Sequence, residues 1–330
     1  MTMPCSATIP GAGPAKRVPA GWPWHLPPWA ELLARCGLQF RRRQVGRKSG
    51  GAEAEPSSAV VRLEPSKLAQ SLEALGIQAG DVLMVHADSR ALQRVGWEPW
   101  DFLDFVLDYL GPEGTLAMPT HPVLGEKDGR LVYDVRRSPS SVGLLTELFR
   151  RRSGAIRSVY PYAAAAALGP RAEELVGQHE RSFAPHDEHS PYGKLGQLCG
   201  KSLCVGCPLV RLTVLHVAED TLRERLGIAG FYEERPVLVK AGGQEREVTA
   251  HVRAGWLWWY LALSRWQAGM YRQGLVRGAR PEGLSLLAVD AAKVIGWMQQ
   301  EVEHGRSLYG LAWLNRWLRL GEPLREGGMP

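Results

Sequence analysis

The chain has 330 residues, 45% of them hydrophobic, and 40 Lys and Arg against 34 Asp and Glu give a net charge of +6. That length suits one large α/β domain with appendages. An odd count of five cysteines (Cys5, Cys36, Cys199, Cys204 and Cys207) and an N-terminus without an apolar signal core predict a reducing, cytoplasmic setting. No apolar run approaches the roughly 20 residues that cross a bilayer, so no transmembrane segment is expected. The positive charge gathers near Lys16, Arg17 and Arg41-Arg42-Arg43. It leaves the core near neutral, and with no supporting motif nucleic acid is not expected as a partner.

Three parts are predicted. Residues 1–57 read as an extension, rich in Pro and Gly, with Trp22, Trp24 and Trp29 ahead of the arginine run. It is either an arm that docks its aromatics on the main domain or a basic arm for an anionic surface. Residues 58–300 read as the α/β domain and 301–330 as a helical tail.

Within the domain, Pro65-Ser66 opens a helix to Leu75, and Gly80-Asp81 precedes a buried strand, Val82 to His86. Ala91 to Val95 reads as a turn. Pro99 to Leu110 is an amphipathic helix with Phe102, Phe105, Val106 and Tyr109 inward and Gly111 as its cap. Thr115 to Pro119 is a second buried strand, so strand, helix and strand form a βαβ unit with a parallel pair.

The loop from Thr120 to Val135 holds His121, Glu126, Asp128 and Asp134, beyond a strand end where α/β folds place ligands. The polar turn Ser138-Pro139-Ser140-Ser141 and Gly143 start a helix through Leu144, Leu145, Leu148 and Phe149. It ends in Arg150-Arg151-Arg152 and stops at Ser153-Gly154. Pro161 biases Tyr160 to extended geometry, so Tyr160 is expected to project from a loop ahead of an alanine run.

Further on, Pro170 to His179 reads as a helix, Ala184 to His189 as an acidic loop, Lys194 to Leu198 as helical and Ser202 to Val205 as a strand. Thr213 to Leu226 reads as a single helix. Pro236 to Lys240 and Glu245 to His251 form a hairpin over Gly242-Gly243. From Ala254 the pattern is helical, with Trp256, Trp258, Trp259, Trp266, Trp297, Trp313 and Trp317 packing between helices or forming a contact surface.

Several segments, in this order, resemble the aminoglycoside 3-N-acetyltransferase family, whose fold is distinct from that of the common GNAT acetyltransferases. They are Val82-Leu83-Met84-Val85-His86-Ala87, Leu110-Gly111-Pro112-Glu113-Gly114-Thr115-Leu116, Met118-Pro119-Thr120, the Ser138 to Gly143 turn, Ser190-Pro191-Tyr192, Gly200-Lys201 and Thr213-Val214-Leu215-His216-Val217-Ala218-Glu219. The resemblance covers roughly residues 60 to 290.

It implies a single antibiotic N-acetyltransferase-like α/β domain, with a parallel or mixed sheet flanked by helices. It implies direct transfer from acetyl-coenzyme A to an amino group of an aminoglycoside or related amino sugar, a resistance chemistry. The coenzyme would lie between the end of the His86 strand and the Ser138 turn, held by His86, Asp88, Ser89, Arg137, Ser138, Ser141 and Gly143. The physics agrees, since a capped helix start offers N–H groups and hydroxyls to phosphate or pantetheine oxygens, although the same residues also make an ordinary cap.

The resemblance places the general base at the histidine of a His-Pro pair, where this chain has Tyr160-Pro161, with Ala164 for a Ser. Tyr160 itself, His121 and His189 are candidate replacements, with Glu126 a loose match for the orienting carboxylate. His216 and Glu219, three apart on one helix face, are either catalytic or a buttress. A family member that has lost catalysis and serves in binding or assembly is the alternative. Cys199, Cys204 and Cys207 read either as small apolar residues or as half of a metal motif, and no metal is expected. A homodimer is the oligomer to look for.

Overall fold

A computed structural model describes residues 62–226, 228–255 and 263–304. The arm at 1–57, the tail beyond 304, and Trp256, Trp258, Trp259, Trp313 and Trp317 lie outside the described residues.

Seven strands form the main sheet. They are β1 (Val82–Ala87), β2 (Thr115–Pro119), β5 (Ile156–Arg157), β6 (Ala165–Leu168), β7 (Lys201–Val205), β10 (Arg277–Ala279) and β11 (Leu286–Asp290). Their order is β10-β11-β7-β1-β2-β6-β5. The centre is parallel, β1 pairing with β2 and with β7. The flanks are antiparallel, so the sheet is mixed.

The central strands β1 and β2 are largely apolar because both faces are covered. Val82, Met84 and Cys204 pack on one face, with Leu195 of α6 (Pro191–Gln197) and Val294 of α9 (Ala291–Glu303). Leu83, Val85 and Leu203 pack on the other, with Leu68 of α1 (Pro65–Ala74) and Phe102 of α3 (Pro99–Leu110). The period-2 alternation of a strand sends neighbours to opposite cores. Ala166 faces Leu145 and Phe149 of α4 (Leu144–Arg150), whereas Ala165 and Ala167 face Ala172 of α5 (Ala172–Val176).

The first helices and strands follow the sequence closely, and Gly111 closes α3 with φ 69. The departures are local. Ala91 to Val95 is not a bare turn but part of α2 (Ser89–Arg94), which the Asp88 side chain caps by accepting the Arg90 amide at 2.9 Å. The Thr120 to Val135 loop contains a hairpin of β3 (Gly125–Lys127) and β4 (Arg130–Asp134). Asp128 and Gly129 turn it with φ 53 and 72, a pair suited to a two-residue hairpin turn.

This hairpin joins β8 (Tyr232–Ala241) and β9 (Gln244–Arg253) in a second sheet, ordered β3-β4-β8-β9. Gly242 and Gly243, at φ 56 and 80, make the β8–β9 turn. The Thr213 to Leu226 segment is a 3₁₀ turn, Thr213–His216, followed by α7 (Val217–Thr221). The region after Ala254 is not all helix: α8 (Leu263–Arg272) is followed by β10 and β11 before α9. Leu286–Asp290 is a short apolar run, too short for its period to separate strand from helix.

Candidate active site

The carboxyl ends of β1, β2 and β7 lie side by side and deliver His86, the Thr120-His121 loop and the segment leading to His216 to one edge of the sheet. His121 stands close enough there to His86, His186 and His216 for charge on any of them to lower its own pKa. Ligands of open α/β sheets sit at this edge.

His216 is buried at the end of the 3₁₀ turn, and its Nδ1 is 2.6 Å from Glu219 Oε2. The three-residue step from a 3₁₀ end into α7 brings the two side chains together. Arg253, at the end of β9, donates to the same Glu219 oxygen. Burial raises the pKa of Glu219, but the Arg253 charge and the His216 hydrogen bond outweigh it and hold the carboxyl below its usual range.

A second pair stands next to it. His186 Nδ1 lies 3.1 Å from Asp220 Oδ2, and its ring centroid is 5.1 Å from that of His216. Tyr192 contacts the same cluster, its hydroxyl 3.2 Å from His121 Nε2 and its ring 5.4 Å from His186. Burial lowers His86 and His186 to about 4 and His121 to about 3, so all three are neutral at pH 7. By accessible surface His121 is only half-buried, which argues for a smaller shift there. His86 Nε2 and Glu219 Oε1 are buried and have no hydrogen-bond partner among the described residues.

The turn proposed for coenzyme is tied to this edge. Ser141 donates its amide (2.7 Å) and hydroxyl (3.0 Å) to the His121 carbonyl. Ser138 is buried, and its hydroxyl accepts the Asp134 amide at 3.0 Å. Gly143, at φ 145, precedes α4 with nothing within 4 Å of where a Cβ would stand. Arg137 is exposed, its amide held by Asp134 Oδ1 at 2.8 Å.

Beneath the turn lies the buried Arg157. It donates to the Thr120 carbonyl and hydroxyl and, at 2.6 Å, to the Ser138 carbonyl. Arg157 thus fastens the β2 loop to the turn. Across the edge, Asp88 is spent on capping α2, and Ser89 is that helix's first residue, half-buried.

Tyr160 does not project from a loop but is 1% exposed. Its hydroxyl donates to the Phe183 carbonyl at 2.9 Å and accepts the His251 amide at 3.1 Å, and its ring stacks on His179. Burial raises its pKa, so it has neither the basicity nor a spare position for a catalytic base. Glu126 is exposed on the β3 edge strand, and Glu219 is the carboxylate that orients a histidine here. His189 is half-buried, its amide held by Asp187 Oδ1 at 3.0 Å.

Cys204 and Cys207 are free thiols that hydrogen-bond to each other, whereas Cys199 is disulfide-bonded. The three do not converge as one ligand set. Sequence reasoning did not nominate His186, Asp220, Arg253 or Arg157. Asp220 adjoins a nominated carboxylate, and that adjacency was the one available signal.

The mixed sheet flanked by helices is the fold of the antibiotic-type N-acetyltransferases rather than that of the GNAT enzymes. The chain belongs to the aminoglycoside 3-N-acetyltransferase family, whose model matches residues 84–302. It is 34% identical over 190 residues to aminoglycoside N(3)-acetyltransferase VIII of Streptomyces fradiae, covering 52% of this chain and 66% of that one. The chain thus spans about two thirds of the length of the curated relatives it matches. Among solved structures, aminoglycoside acetyltransferase AAC(3)-Xa superposes with a TM-score of 0.62 at 25% identity, over 74% of this chain and 93% of that one. A binary complex of AAC-IIIb with CoASH superposes with a TM-score of 0.61 at 25% identity, over 73% and 96%. No helix among the described residues is long and apolar enough to cross a membrane.

Proposed function

We propose that this protein transfers an acetyl group from acetyl-coenzyme A to an amino group of an aminoglycoside or related amino sugar, with His216 as general base. The observation that carries the reading is the 2.6 Å pairing of His216 Nδ1 with Glu219 at the carboxyl edge of the sheet. An ionised Glu219 keeps the imidazole proton on Nδ1, so Nε2 carries the lone pair that takes a proton from the attacking amine. Glu219 then balances the imidazolium, and Arg253 keeps Glu219 ionised. His121 forms part of the wall as a neutral imidazole.

The coenzyme supplies the thioester whose C–S bond the amine displaces. The Ser138 to Gly143 turn, with Arg137 and Ser141, would hold it opposite His86, Asp88 and Ser89. Open space at Gly143 and the unpaired His86 Nε2 fit that placement. The relatives support both halves of the reading, since they are aminoglycoside acetyltransferases and one structure is a CoASH complex. A cytoplasmic location accords with this intracellular acyl donor, and a homodimer is the assembly to test by light scattering.

The deciding experiment is a thiol-release assay with acetyl-coenzyme A and a panel of aminoglycosides, with products read by mass spectrometry. Acetylated product with the wild type and none with His216→Ala supports the reading. Product without dependence on His216 overturns the assignment of the base, and no product with any amine overturns the activity.

A further inference from the structure

The transfer described above uses one histidine–carboxylate pair, yet the fold holds a second beside it. Asp220 follows Glu219 in α7 and is fully buried. It accepts the His186 amide at 2.9 Å and the Tyr232 hydroxyl at 2.6 Å, and it lies 3.1 Å from His186 Nδ1 and 3.3 Å from Arg253 Nε. Burial opposes its charge, but Arg253 and these donors outweigh that and hold the carboxyl well below the usual range. An ionised acceptor at Nδ1 fixes the ring proton there, and Nε2 carries a lone pair.

Asp220 Oδ2 accepts both the backbone amide of His186 and its ring Nδ1–H, so the segment is anchored beside the carboxylate and the imidazole cannot turn away without breaking the ring hydrogen bond. Burial at the same time keeps the ring neutral near pH 7. His186 is therefore a fixed acceptor with its ring 5.1 Å from that of His216.

We propose that His186, set by Asp220, is a second acceptor for the substrate nitrogen, and that the pair of imidazoles selects primary amines. The inference rests on the acyl-transfer reading. The attacking primary amine carries two hydrogens on nitrogen. One proton leaves to His216, and the other stays on the amide product and is held by His186 throughout. A hydroxyl or a secondary amine brings only one hydrogen, so it leaves the His186 lone pair buried without a donor and is disfavoured.

Two measurements test this. Long-range proton–nitrogen NMR reads the His186 tautomer directly, whatever the activity. The expected result is a proton on Nδ1 alone in the wild type at pH 7, moving to Nε2 in Asp220→Asn, whose amide donates to Nδ1. Steady-state kinetics with an aminoglycoside that the wild type acetylates is the second. Asp220→Asn and His186→Leu should each lower kcat/KM by about ten- to a hundredfold without changing the Kd of coenzyme A. His186→Gln, which keeps an acceptor, should retain more activity than His186→Leu. A wild-type His186 protonated on Nε2, or a His186→Leu enzyme with wild-type kcat/KM, overturns the proposal. If the wild type acetylates no amine, the acyl-transfer reading fails and the role in substrate selection fails with it, while the NMR result still decides the tautomer.

Discussion

His216 and His186 stand with ring centroids 5.1 Å apart, each held at Nδ1 by a different carboxylate of the same short helix, Glu219 and Asp220. Arg253 reaches both carboxylates from the end of β9. The carboxyl edge of the main sheet is therefore braced by a residue of the second sheet. On the proposed assignment of His216 as the base, its loss should cost most. We expect His216→Ala to lower kcat by about 10²–10⁴ while leaving the circular dichroism spectrum intact. Glu219→Gln should cost at least about tenfold, because an amide at that position holds the wrong tautomer.

Tyr160 gives the opposite expectation. Its hydroxyl satisfies the Phe183 carbonyl and the His251 amide. Tyr160→Phe should therefore destabilise the fold by about 1–3 kcal/mol, read by urea unfolding, with kcat nearly unchanged. Restoring the family's histidine by Tyr160→His should lower the melting temperature and yield no gain in acetyl transfer. A gain would place the base at Tyr160 and not at His216.

Arg157 joins the β2 loop to the Ser138 turn through carbonyl and hydroxyl acceptors. Arg157→Met leaves those acceptors buried, and we expect about 3 kcal/mol of lost stability. The turn loses its anchor as well, so the KM for acetyl-coenzyme A should rise more than the KM for the amine. Equal rises would separate Arg157 from the coenzyme site.

Buried neutral histidines should give the fold an acid limit. His86, His179 and His186 are buried, and burial lowers them to about 4, 3 and 4. Between their folded values and 6.5 the unfolded chain binds protons that the native state refuses. Stability therefore rises with pH across that window and is lost as pH falls through it. From pH 7.5 to 5.5 each histidine should remove about 1 kcal/mol. Urea midpoints at the two values measure this, and equal midpoints would refute it.

Cys207 offers a probe of the coenzyme edge. Its thiol lies 3.3 Å from the His86 carbonyl. The Cys204 hydrogen bond lowers the Cys207 pKa, and that bond together with burial raises Cys204. Iodoacetamide should label Cys207 ahead of Cys204, and coenzyme A should slow that labelling if it binds beside His86. Labelling unaffected by saturating coenzyme would move the coenzyme elsewhere.

The sequence by itself determined the central βαβ unit, because Val82–Ala87 and Thr115–Pro119 are apolar on both faces and Pro99–Leu110 carries a helical stripe closed by Gly111. It also determined the Gly242-Gly243 hairpin, since turns are local chemistry, whereas the expected serine cap of α4 is not formed: Gly143 is the N-cap and no side chain caps it. It paired His216 with Glu219 because three residues bring both to one face of a helix. What local pattern does not encode is which loops meet at a sheet edge. His186 reaches Asp220 across 34 residues, and Arg253 reaches Glu219 across another 34. The first forms only when the loop before α6 packs against α7, and the second only when β9 of the second sheet reaches the same helix. The tertiary structure alone decided that Tyr160 is a buried brace, that Glu126 is exposed, and that the carboxylates of α7 serve two histidines.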